Sequence, residues 1–148
     1  MIIYKHGTLS KKEKDVLRWI VSSIPDTNQD FYITKDNQRI FLDINNLSLL
    51  YNCVRHGDRI IYSEEEGLIC VLGFSDENHR KYIKILAKDN YAASKLLKVL
   101  FWNVKNDLWI KIKKSNPLNY VLKENKFLFR GSRGKEILLC REKRSIKE

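Results

Sequence analysis

An α+β fold is what this sequence predicts: a mixed, mostly antiparallel sheet flanked by helices, in the order β-αα-β-β-β-α-β-α-β-β. Three observations carry it. Short β-branched and aromatic runs such as Lys81–Leu86 (KYIKIL) alternate with stretches whose apolar residues recur at the helical period. Helix-start and helix-stop residues fall between these runs and not inside them. The C-terminal half then reads strand, helix, strand, helix, strand, strand.

In chain order, Ile2–Tyr4 is the first strand. Ser10 and Glu13 form a capping box that opens a helix with Val16, Leu17, Ile20, Val21 and Ile24 on one face, and Pro25 stops it. PDTNQD is a loop. Phe31–Ile33 and Arg39–Leu42 flank the turn-like KDNQ, and Leu47, Leu50, Tyr51 and Val54 give a second short helix closed by Gly57. Arg59–Tyr62 and Leu68–Phe74 form a hairpin across SEEEG, and SDENH leads into the strand at Lys81. Ala93, Leu96, Leu97, Leu100, Phe101 and Val104 mark the long helix that follows. Leu108–Lys113 alternates with period two. Asn116-Pro117 reads as a helix cap with proline at the first helical position, ahead of Leu118, Val121 and Leu122. Phe127–Phe129 and Glu136–Cys140 pair across RGSRG.

The 148 residues, 43% apolar and 31% charged, suffice for one core. A single domain over 1–148 is expected, with 142–148 as a frayed basic tail. No apolar run approaches the roughly 18 residues of a membrane span, and the N-terminus lacks the basic-then-apolar order of a signal peptide. The expectation is a soluble cytoplasmic protein, monomeric or homodimeric, with no membrane partner. Cys53, Cys70 and Cys140 are far apart and lack metal-ligand spacing, so reduced, mostly buried thiols and no metal are expected. Residues 1–78 hold 9 Lys/Arg against 12 Asp/Glu, whereas residues 79–148 hold 19 against 6, a net of +13. Such a half meets nucleic acid, an anionic surface or a polyphosphate cofactor, or else is the lysine-rich solvated face of an AT-rich coding sequence.

The turn AKDNYAAS joins the Lys81–Leu86 strand to the long helix. A helix N-terminus offers unpaired N–H groups and the positive end of a dipole, which suits a phosphate. Together with KIKKSNPLNYVLKENKFLFRGSRGKEILLCR, this turn resembles the GCN5-related N-acetyltransferase (GNAT) superfamily, most closely the compact GNAT-like proteins of tailed phages. The likeness covers residues 59–141 well and the first 58 by element order. It implies acetyl-CoA as co-substrate and an unidentified amine as acceptor. In the family, the strand matching Lys81–Leu86 splays from its neighbour and pairs with the pantetheine arm. The next turn holds the pyrophosphate through an R/Q-x-x-G-x-G/A motif. Lys88, Tyr91 and Ala93 match that motif, with Tyr91 replacing a glycine. The implied cofactor-binding set is Ile85, Leu86, Ala87, Lys88, Asp89, Asn90, Tyr91, Ala92, Ala93, Ser94 and Asn116. The family's G-F pair after the last helix appears as Lys126-Phe127.

The family's tyrosine acid falls near Leu122 or Lys123, neither of which donates suitably. Tyr120, one turn earlier, is the candidate acid, with a packing or surface tyrosine as the alternative. Glu64, Glu65, Glu66, Asp76 and Glu77 are carboxylates expected near the acceptor cleft, or a solvated turn. His6, His56 and His79 are isolated. Trp19, Trp102 and Trp109 are spaced as core or face residues, and a base-stacking platform of Trp109 with Lys111 and Lys113 is the alternative. Two rivals stand beside acetyl transfer. One is a non-catalytic GNAT-fold or virion component, whose gap Tyr91 or Trp109 would fill. The other is a weak, nonspecific nucleic-acid binder with a basic face away from that gap.

Overall fold

The computed structural model describes residues 2–24, 31–74 and 80–143. Seven strands lie side by side in the order β1 (Ile3–His6), β4 (Arg59–Ser63), β5 (Leu68–Phe74), β6 (Lys81–Leu86), β7 (Leu108–Lys113), β9 (Glu136–Arg141) and β8 (Leu128–Arg133). Every neighbouring pair is antiparallel except β6 and β7. A separate hairpin, β2 (Tyr32–Lys35) and β3 (Gln38–Phe41), stands between helices α1 (Lys11–Ser23) and α2 (Leu47–Arg55). Helix α3 (Asn90–Asn103) links β6 to β7, and α4 (Leu118–Glu124) links β7 to β8. The expected mixed, mostly antiparallel α+β architecture is therefore present. The loop expected over 25–30, Asp76, Glu77, His79 and residues 144–148 lie outside the described residues.

Two apolar layers sandwich the sheet. On one face Leu96, Leu97 and Leu100 of α3 and Val121 and Leu122 of α4 pack on Ile83, Ile85, Ile110, Ile112 and Leu139. On the other, Leu17 and Ile20 of α1 and Leu50 and Val54 of α2 cover Ile60, Tyr62 and Leu86. Alternation along each strand divides its side chains between these layers.

The local signals act as the sequence indicates. The Ser10 hydroxyl accepts the Glu13 N–H at 3.1 Å, and the Glu13 carboxylate accepts the Ser10 N–H at 2.9 Å. Asp36 and Asn37 turn the β2–β3 hairpin with φ of 53° and 64°, the left-handed pair that a tight two-residue turn needs. Gly57, at φ 118°, follows the last turn of α2. Asn116 Oδ1 accepts the Leu118 N–H at 2.9 Å, while Pro117 takes helical dihedrals just ahead of the α4 span. At the far end of α4, the Phe127 N–H reaches the Leu122 carbonyl and the Lys126 N–H that of Lys123. This is a Schellman closure with Lys126 at φ 70° where glycine is the usual residue.

Two boundaries and the placement of two tryptophans are fixed by the structure. β1 runs to His6 because it pairs with β4 through Arg59. The first four residues of RGSRG are strand and not turn: β8 continues to Arg133, Arg130 is accommodated at an irregularity in the ladder, and Gly134-Lys135 makes the reversal. Trp19 and Trp102 are 51% and 82% exposed, so neither is core. Cys70 and Cys140 are buried and Cys53 is partly so, all as free thiols.

Candidate active site

β6 and β7 begin as a parallel pair and then part. Lys81 opposes Leu108 and Tyr82 opposes Trp109, and no pairing follows along either strand. Both strands stay fully paired on their outer sides, β6 with β5 from Lys81 to Leu86 and β7 with β9 from Leu108 to Lys113. The result is a V, closed at Tyr82–Trp109 and open toward Leu86 and Lys113. Backbone groups of Ile83–Leu86 that face β7 therefore have no strand to pair with. Both strands end at the open side, so the first turns of α3 and α4 flank the mouth, the position at which parallel strands gather ligands.

Ile85, Leu86 and Ala87 are buried at 4%, 7% and 1% exposure, so their side chains belong to the core and only their backbone faces the gap. Lys88, Asp89 and Asn90 are exposed, and Ser94 is partly buried. Asp89 caps α3: its carboxylate accepts the Ala92 N–H at 2.8 Å and its carbonyl the Ala93 N–H at 3.1 Å. That leaves the N–H groups of Asn90 and Tyr91 as first-turn donors with no acceptor among the described residues. Ala92 and Ala93 are fully buried, and their small side chains keep the turn close against the core. Tyr91 has no left-handed backbone, so glycine is not demanded there by conformation. Its ring is 67% exposed, with the Lys95 ammonium 4.6 Å from its centre. Lys95 in turn pairs with Glu66 at 2.8 Å, which raises Lys95 and lowers Glu66 from their ordinary pKa values. Glu66 of the β4–β5 turn is thus engaged at the α3 end of the V.

The start of α4 holds a surface cavity of about 530 Å³ lined by Lys114–Pro117, Asn119, Tyr120, Lys123 and Ile137. Asn116 is 6% exposed, with its side chain committed to the cap, and Tyr120 is 74% exposed. Asn119 donates to the carbonyls of Lys113, Lys114 and Asn116, while its buried Oδ1 meets no partner among the described residues.

On the α1–α2 face, three residues gather that sequence reasoning did not place. A Cβ at Gly73 would stand 3.0 Å from Asp58 Oδ1, so the Asp58 carboxylate lies over that glycine, which is itself paired with Tyr82 at the closed end of the V. Burial pushes the Asp58 carboxyl up from its ordinary value, against the opposing pull of Lys84 and the Cys53 thiol. Burial likewise brings the Lys84 ammonium down to about 8, although Cys53 and Asp58 favour its charge. Arg39 reaches across from β3 to Glu136 with two hydrogen bonds of 3.0 and 3.2 Å. Two signals in the sequence mark this cluster. Gly73 interrupts a strand, as a close approach requires, and Lys84 stands mid-strand between Ile83 and Ile85. Among the described residues no group of three His, Cys, Asp or Glu could hold a metal ion.

No protein-family model matches the sequence, and neither does any curated protein. Solved structures do match over nearly the whole chain. An N-acetyltransferase from Staphylococcus aureus aligns with 97% of this chain and 98% of its own at TM-score 0.67 and 16% identity. An acetyltransferase of the GNAT family from Streptococcus pneumoniae aligns at 0.57 and 12% identity, over 95% and 98%. The fold is that of the GNAT acetyltransferases. PaiA N-acetyltransferase from Thermoplasma acidophilum, solved with coenzyme A, aligns at 0.60 and 10% identity, over 96% and 99%. None of the three is a phage protein, and the expected likeness to phage relatives finds no support among them. At these identities it is the fold that is shared.

Proposed function

We propose that this protein transfers an acetyl group from acetyl-CoA to an amine. The observation that carries the proposal is the V between β6 and β7, which opens after two residue pairs in a GNAT fold. The residues at its mouth fit the co-substrate: N–H groups of Asn90 and Tyr91 for the pyrophosphate, with Lys88 beside them, and backbone of Ile83–Leu86 for the pantetheine arm. Acetyl-CoA supplies an activated thioester. N–H groups on the β6 edge polarise its carbonyl as the oxygen gains charge. Asp58 is the base that takes the proton from the incoming ammonium, directly or through one water, and its raised pKa suits that task. As the amine nitrogen bonds to the carbonyl carbon, the C–S bond breaks, the nitrogen gives up its second proton to solvent and the thiolate takes a proton. Tyr120, about one turn before the position at which the family places its tyrosine, is the candidate donor for that step.

A thermal-shift titration with CoA tests the reading, because a ligand at 100 times its Kd stabilises by about 2.7 kcal/mol. An unchanged melting temperature at millimolar CoA would defeat it. With binding in hand, Asp58→Asn should lower kcat by about 10²-fold or more while leaving CoA affinity alone, and Tyr120→Phe should lower it only if the hydroxyl is the acid. Full activity in Asp58→Asn would assign the base elsewhere.

A further inference from the structure

The helices α3 and α4 close one face of the V, and the α3 turn sits at its mouth. The second reactant must therefore come from the opposite face. Sheet register puts Tyr82 and Lys84 of β6, Trp109, Lys111 and Lys113 of β7, and Glu136 of β9 on that face. The β2–β3 hairpin adds Tyr32, Arg39 and Phe41. Cations dominate the assembly. The Tyr32 ring has two of them against it, Arg39 at 4.6 Å and Lys84 at 4.3 Å. Lys111 stands 5.1 Å from the Tyr82 ring and Lys113 stands 5.9 Å from that of Phe41.

Two carboxylates face these four charges. Glu136 is held through both oxygens by Arg39, and Asp58 lies beside Lys84. Lys111 and Lys113 are exposed and make no ion pair among the described residues. A ring face holds a cation without neutralising it, so both remain available to an anion. Crowding of like charge raises the energy of the empty site and is relieved when an anion binds.

Resting on the acetyl-transfer reading, we infer that the acceptor is an amine carrying an anionic group, carboxylate or phosphate, a few bonds from its nitrogen. Lys111 and Lys113 hold that group, and Arg39 and Lys84 line the wall behind it. The same face repels a polyamine.

Calorimetric titration of the CoA-loaded protein with phosphoethanolamine, β-alanine, ethanolamine and putrescine tests this. At least one of the two anionic amines should bind tenfold or more tightly than ethanolamine, and the stronger of the two identifies phosphate or carboxylate. The double variant Lys111→Gln/Lys113→Gln should cut that advantage below threefold with CoA affinity unchanged. Ethanolamine or putrescine binding as well as both anionic amines would overturn the inference, and so would an advantage that survives the double variant. If CoA itself fails to bind, the acetyl-transfer reading falls and the inference falls with it. If CoA binds and no anionic preference appears, the acceptor assignment alone is wrong.

Discussion

Lys126 and Asp89 are two residues at which side-chain identity works against the backbone or the ligand around it. Lys126 occupies a left-handed position at the end of α4, a conformation that costs an L-residue roughly 1–2 kcal/mol and glycine almost nothing. Lys126→Gly should therefore raise stability by about 1 kcal/mol, after allowance for the freer unfolded chain, with an unchanged denaturant slope. A lowered midpoint would show that the lysine side chain contributes more than its backbone strain costs. Asp89 caps α3 with a carboxylate placed where a phosphate would have to approach. Asparagine caps about as well as aspartate, so Asp89→Asn should keep the helix while removing that repulsion. At about 4 Å in water the repulsion is ~1 kcal/mol, so CoA should bind roughly fivefold more tightly. Unchanged affinity in a calorimetric titration would place the phosphates away from this turn. The Lys126-Phe127 substitution for G-F was legible in the sequence. The second use of Asp89 was not, because DNYA reads equally as a cap and as part of a phosphate turn.

Helix α1 shows how one element is fastened to the sheet. Its Glu13 accepts from the Ser10 N–H, pairs with Lys5 of β1 at 3.0 Å, and accepts the Tyr62 hydroxyl of β4 at 3.1 Å. Burial alone would raise the Glu13 carboxyl, yet these partners outweigh it and hold the pKa at about 2. A carboxyl depressed on folding adds stability above its ordinary value of 4.5, and that contribution disappears as pH falls through about 2. Stability should thus decline across that window, and Glu13→Gln should flatten the decline. Parallel acid profiles for the two proteins, measured by denaturant unfolding, would contradict this network. Ser10 and Glu13 were readable as a capping box because they lie three residues apart. Their link to Tyr62 spans 49 residues and required the fold. RGSRG misled for a related reason. Its glycines look like turn residues, but pairing of Arg133 with Glu136 extends the strand and moves the reversal to Gly134-Lys135.

At the scale of the molecule, the rival readings make different demands on the gap and on the charge. Tyr91 projects to the surface with Lys95 against its ring, and Trp109 stands at the last paired position of the V with the Arg80 guanidinium 4.0 Å from its ring. Lys84, Lys111 and Lys113 from the basic half gather at the gap with Arg39, rather than on a face away from it. Nucleic acid should consequently bind weakly and without sequence preference, with Kd near 10⁻⁴–10⁻⁶ M (order of magnitude) at physiological salt, and affinity should fall steeply as salt rises. CoA should compete with it. An anisotropy titration giving nanomolar, sequence-selective binding at that salt would favour the binding-module reading over the enzyme.

What the sequence determined by itself was local: the bounds of β6 and β7, the capped starts of α1 and α4, the glycine end after α2, and the order of elements. Each follows from side chains within a few positions of one another, through periodicity, steric limits on φ or a single hydrogen bond. Tertiary structure alone decided how far the V opens, where β9 inserts between β7 and β8, and which charges share a face. Arg39 and Glu136 are 97 residues apart, and Asp58 meets Lys84 and Gly73 only across neighbouring strands. Such contacts depend on sheet register and strand order, which the hydrophobic pattern of any single segment leaves open.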